Sequence, residues 1–347
     1  MQLEFDGFYD DASRVVPRVV PYEMCADLRI PKKSSNFVRT YCFPFDMDTK
    51  QHTLLAPFTL SGKGLHTGLQ INATFRPAAE NTGVQLCRVD LPGKPTHQAL
   101  ADYVSATERG TVLEHGAWKI STVEHALSAL YALGVDNCLI EVDGPEIPIL
   151  DGSAKLFVRA IQQAGLQEQQ AERKVFVVTE PIEYVSERGN KLVLLPSDHY
   201  EAEVMISFPS VLLREQRAEL HDLSMYPREI AAARTFCFVR EIEPLLRMGL
   251  IKGGDLQNAL VIYETQMSQE GLDYMTEKLG APHLDATKLG YLSPLNYQNE
   301  PARHKLLDLI GDISLLGCYI QGRLIAERPG HTFNTQCCRQ LRNKVIQ

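Results

Sequence analysis

The run Arg303-His304-Lys305-Leu306-Leu307-Asp308-Leu309-Ile310-Gly311-Asp312 has residue types and spacing that could do chemistry. On a helix, residues four apart share a face, so His304, Asp308 and Asp312 would form one polar stripe. Leu306, Leu309, Ile310 and Ile313 would crowd the opposite side and pack into a core. An imidazole and a carboxylate one turn apart can share a zinc ion, and a carboxylate one turn further on can orient a neighbour. The same pattern also describes an amphipathic helix with a charged outer face.

A catalytic zinc site takes three protein ligands and leaves one position for water. His304 and Asp308 would supply two. Glu124-His125 fits the remaining need, because side chains about 100° apart on a helix can divide the work. One binds metal while the other takes a proton from water. His331, in Pro329-Gly330-His331-Thr332-Phe333-Asn334, could act as a general acid if a carboxylate such as Asp312 raised its pKa. Taken singly, each also fits an ordinary exposed helix or loop residue.

The elements that must position these residues can be read from periodicity. Leu69 to Phe75 alternates as a strand, and the glycines of Ser61-Gly62-Lys63-Gly64 mark a tight loop before it. That loop is no P-loop, since it lacks the GxxxxGK[ST] spacing and a following helix. Ser121 to Leu133 reads as a helix with Ser121 or Thr122 as N-cap and Gly134 as its stop. A strand at 138–142 follows, then a proline-broken stretch from Gly144 to Gly152 and a helix from Ala154 to Gly165. Gln167 to Arg173 reads as the linker between domains. The second half is expected to hold strands at 174–185, 190–196 and 201–208 and a helix near 227–234. A strand-helix-strand insert at 235–263, a helix at 303–316, a strand at 318–326 and a helix at 331–343 complete it. Phe236, Phe238, Leu245, Met248 and Leu250 could line an apolar channel or be local core. The stretch 265–302 shows a charged helix and loops, without chemistry. Both halves run from strands to helices, so the fold class is α+β.

The 347 residues suggest two domains, with 44% hydrophobic and 22% charged residues as in ordinary globular chains. The expected domains are 47–170 and 171–347. Residues 1–46 have little periodicity, and Met47 reads like a second start, so 1–46 is expected to be a dispensable extension or translated upstream sequence. A net charge of −8 argues against non-specific nucleic-acid binding. The eight cysteines show no CxxC pair and no disulfide framework, which suits free thiols in a reducing cytosol. No apolar run reaches membrane-spanning length, and the N-terminus lacks the marks of a secretory signal.

Seven stretches together resemble one family. They are Ser61-Gly-Lys-Gly-Leu-His-Thr-Gly68, Thr122-Val-Glu-His125, Pro145-Glu-Ile-Pro-Ile-Leu-Asp-Gly-Ser-Ala154, Arg234-Thr-Phe236, Lys252-Gly-Gly-Asp255, Arg303 to Asp312 and Gly330-His331. In this order, from roughly 50 to 343, they resemble the zinc-dependent deacetylases that remove acetate from UDP-3-O-acyl-N-acetylglucosamine in lipid A biosynthesis. The resemblance implies two α+β domains of similar topology with helices between two sheets. It implies a small sheet inserted in the first domain and a βαβ unit, about 236–263, forming an acyl-chain passage in the second. Carried over by position, His125, His304 and Asp308 would ligate one Zn2+, a set that also accepts Fe2+. Glu124 would be the general base, His331 the general acid held by Asp312, and Thr235 an oxyanion stabiliser. Phe236 would stack near the sugar and Lys305 would meet the diphosphate. Lys191, Phe208, Arg328 and Gly254 would make further substrate contacts. An acylated UDP-sugar is the implied partner, in the cytoplasm, with no obligate protein partner.

Two departures stand out. Residues 265–302 are longer than in many members, and the match beyond His331 is partial. Some relatives carry a fused acyl-carrier-protein dehydratase domain after this point, and none is expected within these 347 residues. Other readings are an amidase of the same fold on a different nucleotide sugar, or a catalytically silent nucleotide-sugar binder.

Overall fold

The structure is a computed structural model that describes residues 16–19, 49–248 and 251–345. Seven α-helices are described: α1 Glu124–Ala132, α2 Lys155–Ala164, α3 Tyr226–Glu229, α4 Val239–Arg247, α5 Gln269–Leu279, α6 Glu300–Ser314 and α7 His331–Val345. They accompany two principal sheets and three small ones.

The first sheet has the order Phe58–Lys63, Gln70–Pro77, Cys138–Val142, Val84–Arg88, Thr96–Gln98. Strand Gln70–Pro77 buries Ile71, Ala73 and Phe75 on one face, as its period-two pattern predicts. The second sheet runs Val16–Val19, Ile182–Val185, Lys191–Leu195, Tyr319–Glu327, Tyr200–Ile206, Gln216–Leu220, with Val175–Val177 also pairing with Tyr319–Glu327. Four residues of the segment read as an extension, Val16–Val19, thus form its outermost strand, antiparallel to Ile182–Val185.

The two halves repeat one plan. Val84–Arg88 leads through an insert to α1, then to the parallel strand Cys138–Val142 and α2. Tyr200–Ile206 leads through Gln216–Leu220 and an insert to α6, then to the parallel strand Tyr319–Glu327 and α7. Helices α1 and α6 are therefore topological equivalents. They pack on each other between the sheets, which is the α+β architecture of two similar domains. The first insert is the antiparallel sheet Val104–Ala106, Val112–His115, Trp118–Ile120. The second is a βαβ unit, Phe236–Phe238, α4 and the parallel strand Leu260–Tyr263, edged by Gly290–Tyr291. This unit has a small core of its own with α5, built on Ile242, Tyr263, Leu272 and Met275.

Several local expectations are corrected. The run expected to be a linker, 167–173, is largely the strand Leu166–Glu172, antiparallel to Lys50–Leu54, so the expected boundary at 170 falls inside a strand. Its polar residues mislead because this two-stranded sheet is solvated over most of its surface, which leaves little apolar alternation to read. Neither Ser121 nor Thr122 caps α1, which starts at Glu124 without a side-chain cap. Ser121 is bridged to Glu146, and Thr122 has φ +57° with its hydroxyl donating to Glu146 at 3.0 Å. The run 174–185 is two strands, and the helix expected at 227–234 is the single turn α3. The strand Gln216–Leu220 was not foreseen.

Helices α1 and α6 are buried nearly all round, so the charged-face reading of α6 is overturned: His304, Asp308 and Asp312 are at most 2% exposed. Close approach explains Gly311, where a Cβ would run into the backbone carbonyl of Glu124. In an isolated helix, Gly→Ala stabilises by about 1 kcal/mol. Here Gly311→Ala is expected instead to destabilise by about 1–3 kcal/mol, the usual cost of forcing extra atoms into a packed core. Urea unfolding measures it, and an unchanged or raised midpoint would contradict this packing.

Candidate active site

Helix α1 brings Glu124 and His125 from the first domain. Helix α6 brings His304, Asp308 and Asp312 from the second, and His331 opens α7. All six are buried. Ligand-capable atoms of His125, His304 and Asp308 lie within 4.8 Å of one another. The closest approaches to Asp308 Oδ1 are His304 Nε2 at 3.4 Å and His125 Nε2 at 3.7 Å. Donor atoms on a tetrahedral ion with bonds of ~2.0–2.1 Å lie about 3.4 Å apart, so the spacing fits a divalent cation. Asp308 Oδ1 has no hydrogen-bond partner although it is buried. A buried carboxylate oxygen without a donor is costly, and a cation would satisfy it. The backbone carbonyl of Ala233 accepts from His304 Nδ1 at 3.1 Å, which fixes the tautomer and leaves Nε2 with its lone pair.

Burial, with His304 beside it, pushes His125 down to about 3, and burial lowers His304 as well. Burial alone would favour the neutral acid at Asp308, but His304, Lys305 and His331 outweigh it and hold the carboxyl well below the usual range. Two neutral imidazoles thus face an ionised carboxylate, the protonation state that metal ligation requires. Glu124 is pushed up to about 7 by burial, opposed by the charge of His331. His331 is the reverse case. Burial would lower it, but Asp312, then Asp308, lift it to about 10. Its Nδ1–H donates to Asp312 Oδ2 at 2.9 Å, and its Nε2 lies 3.7 Å from Asp308 Oδ2. A carboxyl near neutrality beside a cationic imidazole can accept one proton and deliver another.

Glu124, His125, His304, Asp308 and His331 line a cavity of about 300 Å³, and Asp312 lies behind His331. Thr235, Phe236, Lys305 and Gly254 line it too, with Arg109, Lys252 and His66; the insert supplies Ile242, Leu245 and Val261, and α5 supplies Leu279. Lys305 was expected to reach for phosphate, but its ammonium donates to Asp308 Oδ2 at 3.0 Å and lies 5.6 Å from the Phe236 ring centroid. The other expected substrate contacts lie elsewhere. Phe208 is buried behind Phe236, with ring centroids 5.7 Å apart. Lys191 pairs with Glu183 at 2.7 Å, and Arg328 donates to the Gly189 carbonyl, both outside the cavity lining. Among the expected channel residues, Phe236 and Leu245 line the cavity, Phe238 is core, Met248 is exposed, and Leu250 lies outside the described residues.

Some supporting residues were missed. Glu146 is fully buried and accepts from the amides of His66 and Thr67 and the hydroxyls of Thr67 and Thr122, at 2.8–3.1 Å. It fixes the rim loop and the residue before α1. Glu300, at the start of α6, accepts from the Arg234 backbone amide at 3.0 Å and its Nε at 2.8 Å, which holds Thr235 and Phe236 against His304. Thr111 and Asn334 donate to Asp312. Glu146 and Asn334 lay inside stretches that were read, without a role assigned to either, and Glu300 lay just before one.

The fold and the site together define a class: a two-domain α+β protein that buries a His-His-Asp cluster able to hold a metal ion, with a buried carboxyl and a buried imidazole at its side. The family model described as LpxC, UDP-3-O-acyl N-acetylglycosamine deacetylase, matches residues 51–287 and 281–343. The chain is 52% identical over 299 residues to the bifunctional enzyme LpxC/FabZ of Bacteroides thetaiotaomicron, covering 85% of this chain and 65% of that protein. A like match, 52% over 301 residues, is to the bifunctional enzyme LpxC/FabZ of Porphyromonas gingivalis, again 65% of that protein. The chain is also 40% identical over 295 residues to the UDP-3-O-acyl-N-acetylglucosamine deacetylase of an Anaeromyxobacter species, covering 84% of this chain and 88% of that protein. The chain belongs to the LpxC, UDP-3-O-acyl N-acetylglycosamine deacetylase family.

The geometry divides the buried groups by metal content. His125→Ala, His304→Ala and Asp308→Ala should each lose most bound metal on purification, whereas Glu124→Ala should keep about one ion per chain. Elemental analysis of the four proteins checks this. Full metal content in the three ligand variants would contradict the assignment.

Proposed function

We propose that this protein hydrolyses the acetamide of a UDP-3-O-acyl-N-acetylglucosamine to the free amine and acetate, the committed step of lipid A biosynthesis, with zinc as the metal. One observation carries the reading. Glu124, His331 and the His125-His304-Asp308 set line one cavity together with apolar side chains of the βαβ insert and the basic side chains Arg109, Lys252 and Lys305. The Anaeromyxobacter relative is named a UDP-3-O-acyl-N-acetylglucosamine deacetylase. Three nitrogen and oxygen ligands suit Zn2+, and Fe2+ is accepted by the same set.

An amide is a poor electrophile with a poor leaving group. The divalent ion, when bound, would polarise the carbonyl and make water more acidic. Glu124 takes the proton of the attacking water, a role suited to a carboxyl whose pKa is pushed up to about 7. Attack at the carbonyl carbon places negative charge on its oxygen, where Thr235 at the cavity wall stabilises it. His331 then gives its Nε2 proton to the nitrogen as the C–N bond breaks, so that a neutral amine leaves. Asp312 keeps the ring aimed by accepting from Nδ1. Ile242, Leu245, Val261 and Leu279 cover the acyl chain. Phe236 stacks on the sugar. Lys305, anchored on Asp308, adds positive charge near the anionic substrate. We place the protein in the cytoplasm. No described helix is long and apolar enough to cross a membrane, and the six described cysteines are free.

Acetate release from UDP-3-O-acyl-N-acetylglucosamine tests the proposal. Activity should vanish on chelation and return with about one equivalent of Zn2+. Glu124→Ala should lower kcat by about 10²–10⁴-fold, the usual range for removing a general base. Undiminished acetate release from the chelated protein, or from the Glu124 variant, would remove this mechanism.

A further inference from the structure

The acid–base pair is held by a residue that belongs to none of the helices carrying it. Thr111 lies in the loop between the insert strands Val104–Ala106 and Val112–His115 and is fully buried. Its backbone N–H donates to Glu124 Oε2 at 3.1 Å. Its hydroxyl donates to Asp312 Oδ1 at 2.5 Å and sits 3.4 Å from His331 Nδ1. We infer that Thr111 is a positioning residue that ties the base to the acid, its amide holding Glu124 and its hydroxyl holding the carboxylate that aims His331. The inference rests on the proposed roles of Glu124 and His331.

The arrangement of donors on Asp312 makes the hydroxyl specific. Oδ2 accepts from His331 Nδ1 at 2.9 Å and from Asn334 Nδ2 at 3.0 Å. The donor on Oδ1 is Thr111. Without it, a fully buried carboxylate oxygen would lose its hydrogen bond and the carboxylate would turn toward the nearest remaining donor, which is His331 Nδ1. The ring would then lose its aim while still paired. The loop is built for the approach. Gly110 has φ +154°, and a Cβ there would come within 3.0 Å of Glu124 Oε1. A second tie, between the hydroxyls of Thr107 and Thr332 at 2.6 Å, fastens the same loop to the residue after His331.

Side-chain substitution leaves the amide bond to Glu124 in place, so it isolates the hydroxyl. In the zinc-loaded protein, Thr111→Val should lower kcat for acetate release by about 10- to 100-fold, the usual effect of removing an outer partner of this kind. KM and metal content should stay near the wild-type values, and Thr111→Ser should recover most of the rate. In a D312N background, adding Thr111→Val should cost nothing further, because the hydroxyl acts through Asp312. Thr111→Ala gives the same comparison should the valine variant not fold. Wild-type kcat in the valine or alanine variant, a serine variant as slow as the valine one, or an undiminished loss in the D312N background would each overturn the inference. An inactive wild-type protein after zinc is restored would instead remove the proposed function.

Discussion

Backbone contact between α1 and α6 is the constraint on which the rest of the structure depends. Gly311 lets α6 lie directly against the Glu124 carbonyl, and every group of the candidate site is placed relative to that contact. Each helix belongs to one of two similar domains, so neither half holds the full set. Glu124 and His125 come from one, and His304, Asp308 and Asp312 come from the other. The site is therefore a product of how the two halves pack. The inserts then close it: the small sheet supplies Thr111, and the βαβ unit supplies Phe236 and the apolar wall.

Burying so many ionisable groups would be ruinous without pairing, and the pairing is also what makes them useful. Asp308 is held ionised by His304, Lys305 and His331, and its Oδ1 is left facing the two neutral imidazoles. Desolvation lifts Glu124 toward neutrality, while Asp312 and Asp308 together outweigh desolvation at His331 and keep its proton on. Two groups in one cavity are thus shifted in ways that suit the opposite roles proposed for them.

The legible part of this chain was whatever has a short period or a compact motif. The strand through Ile71, Ala73 and Phe75 and the spacing of His304, Asp308 and Asp312 could be read directly. The solvent exposure of α6 could not, because a helix buried on all sides carries its polar stripe inward only when a partner from another domain meets it. The strand Leu166–Glu172 was hidden because both its faces are largely wet. The supporting roles of Thr111, Glu146 and Glu300 were invisible for another reason. Their work is done by contacts across 13 to 201 positions of sequence, which no local pattern records. The cavity wall was partly legible. The apolar pattern of the insert singled out both Phe236 and Phe238, but only Phe236 turns into the cavity.

The central claim is that α1 and α6 together build one metal centre. Anomalous diffraction at the zinc edge, from crystals of the metal-loaded protein, tests it most directly. The account predicts a single strong peak about 2.0–2.2 Å from one ring nitrogen each of His125 and His304 and from an oxygen of Asp308. A peak whose ligands exclude either helix, or no ordered metal there at all, would contradict it.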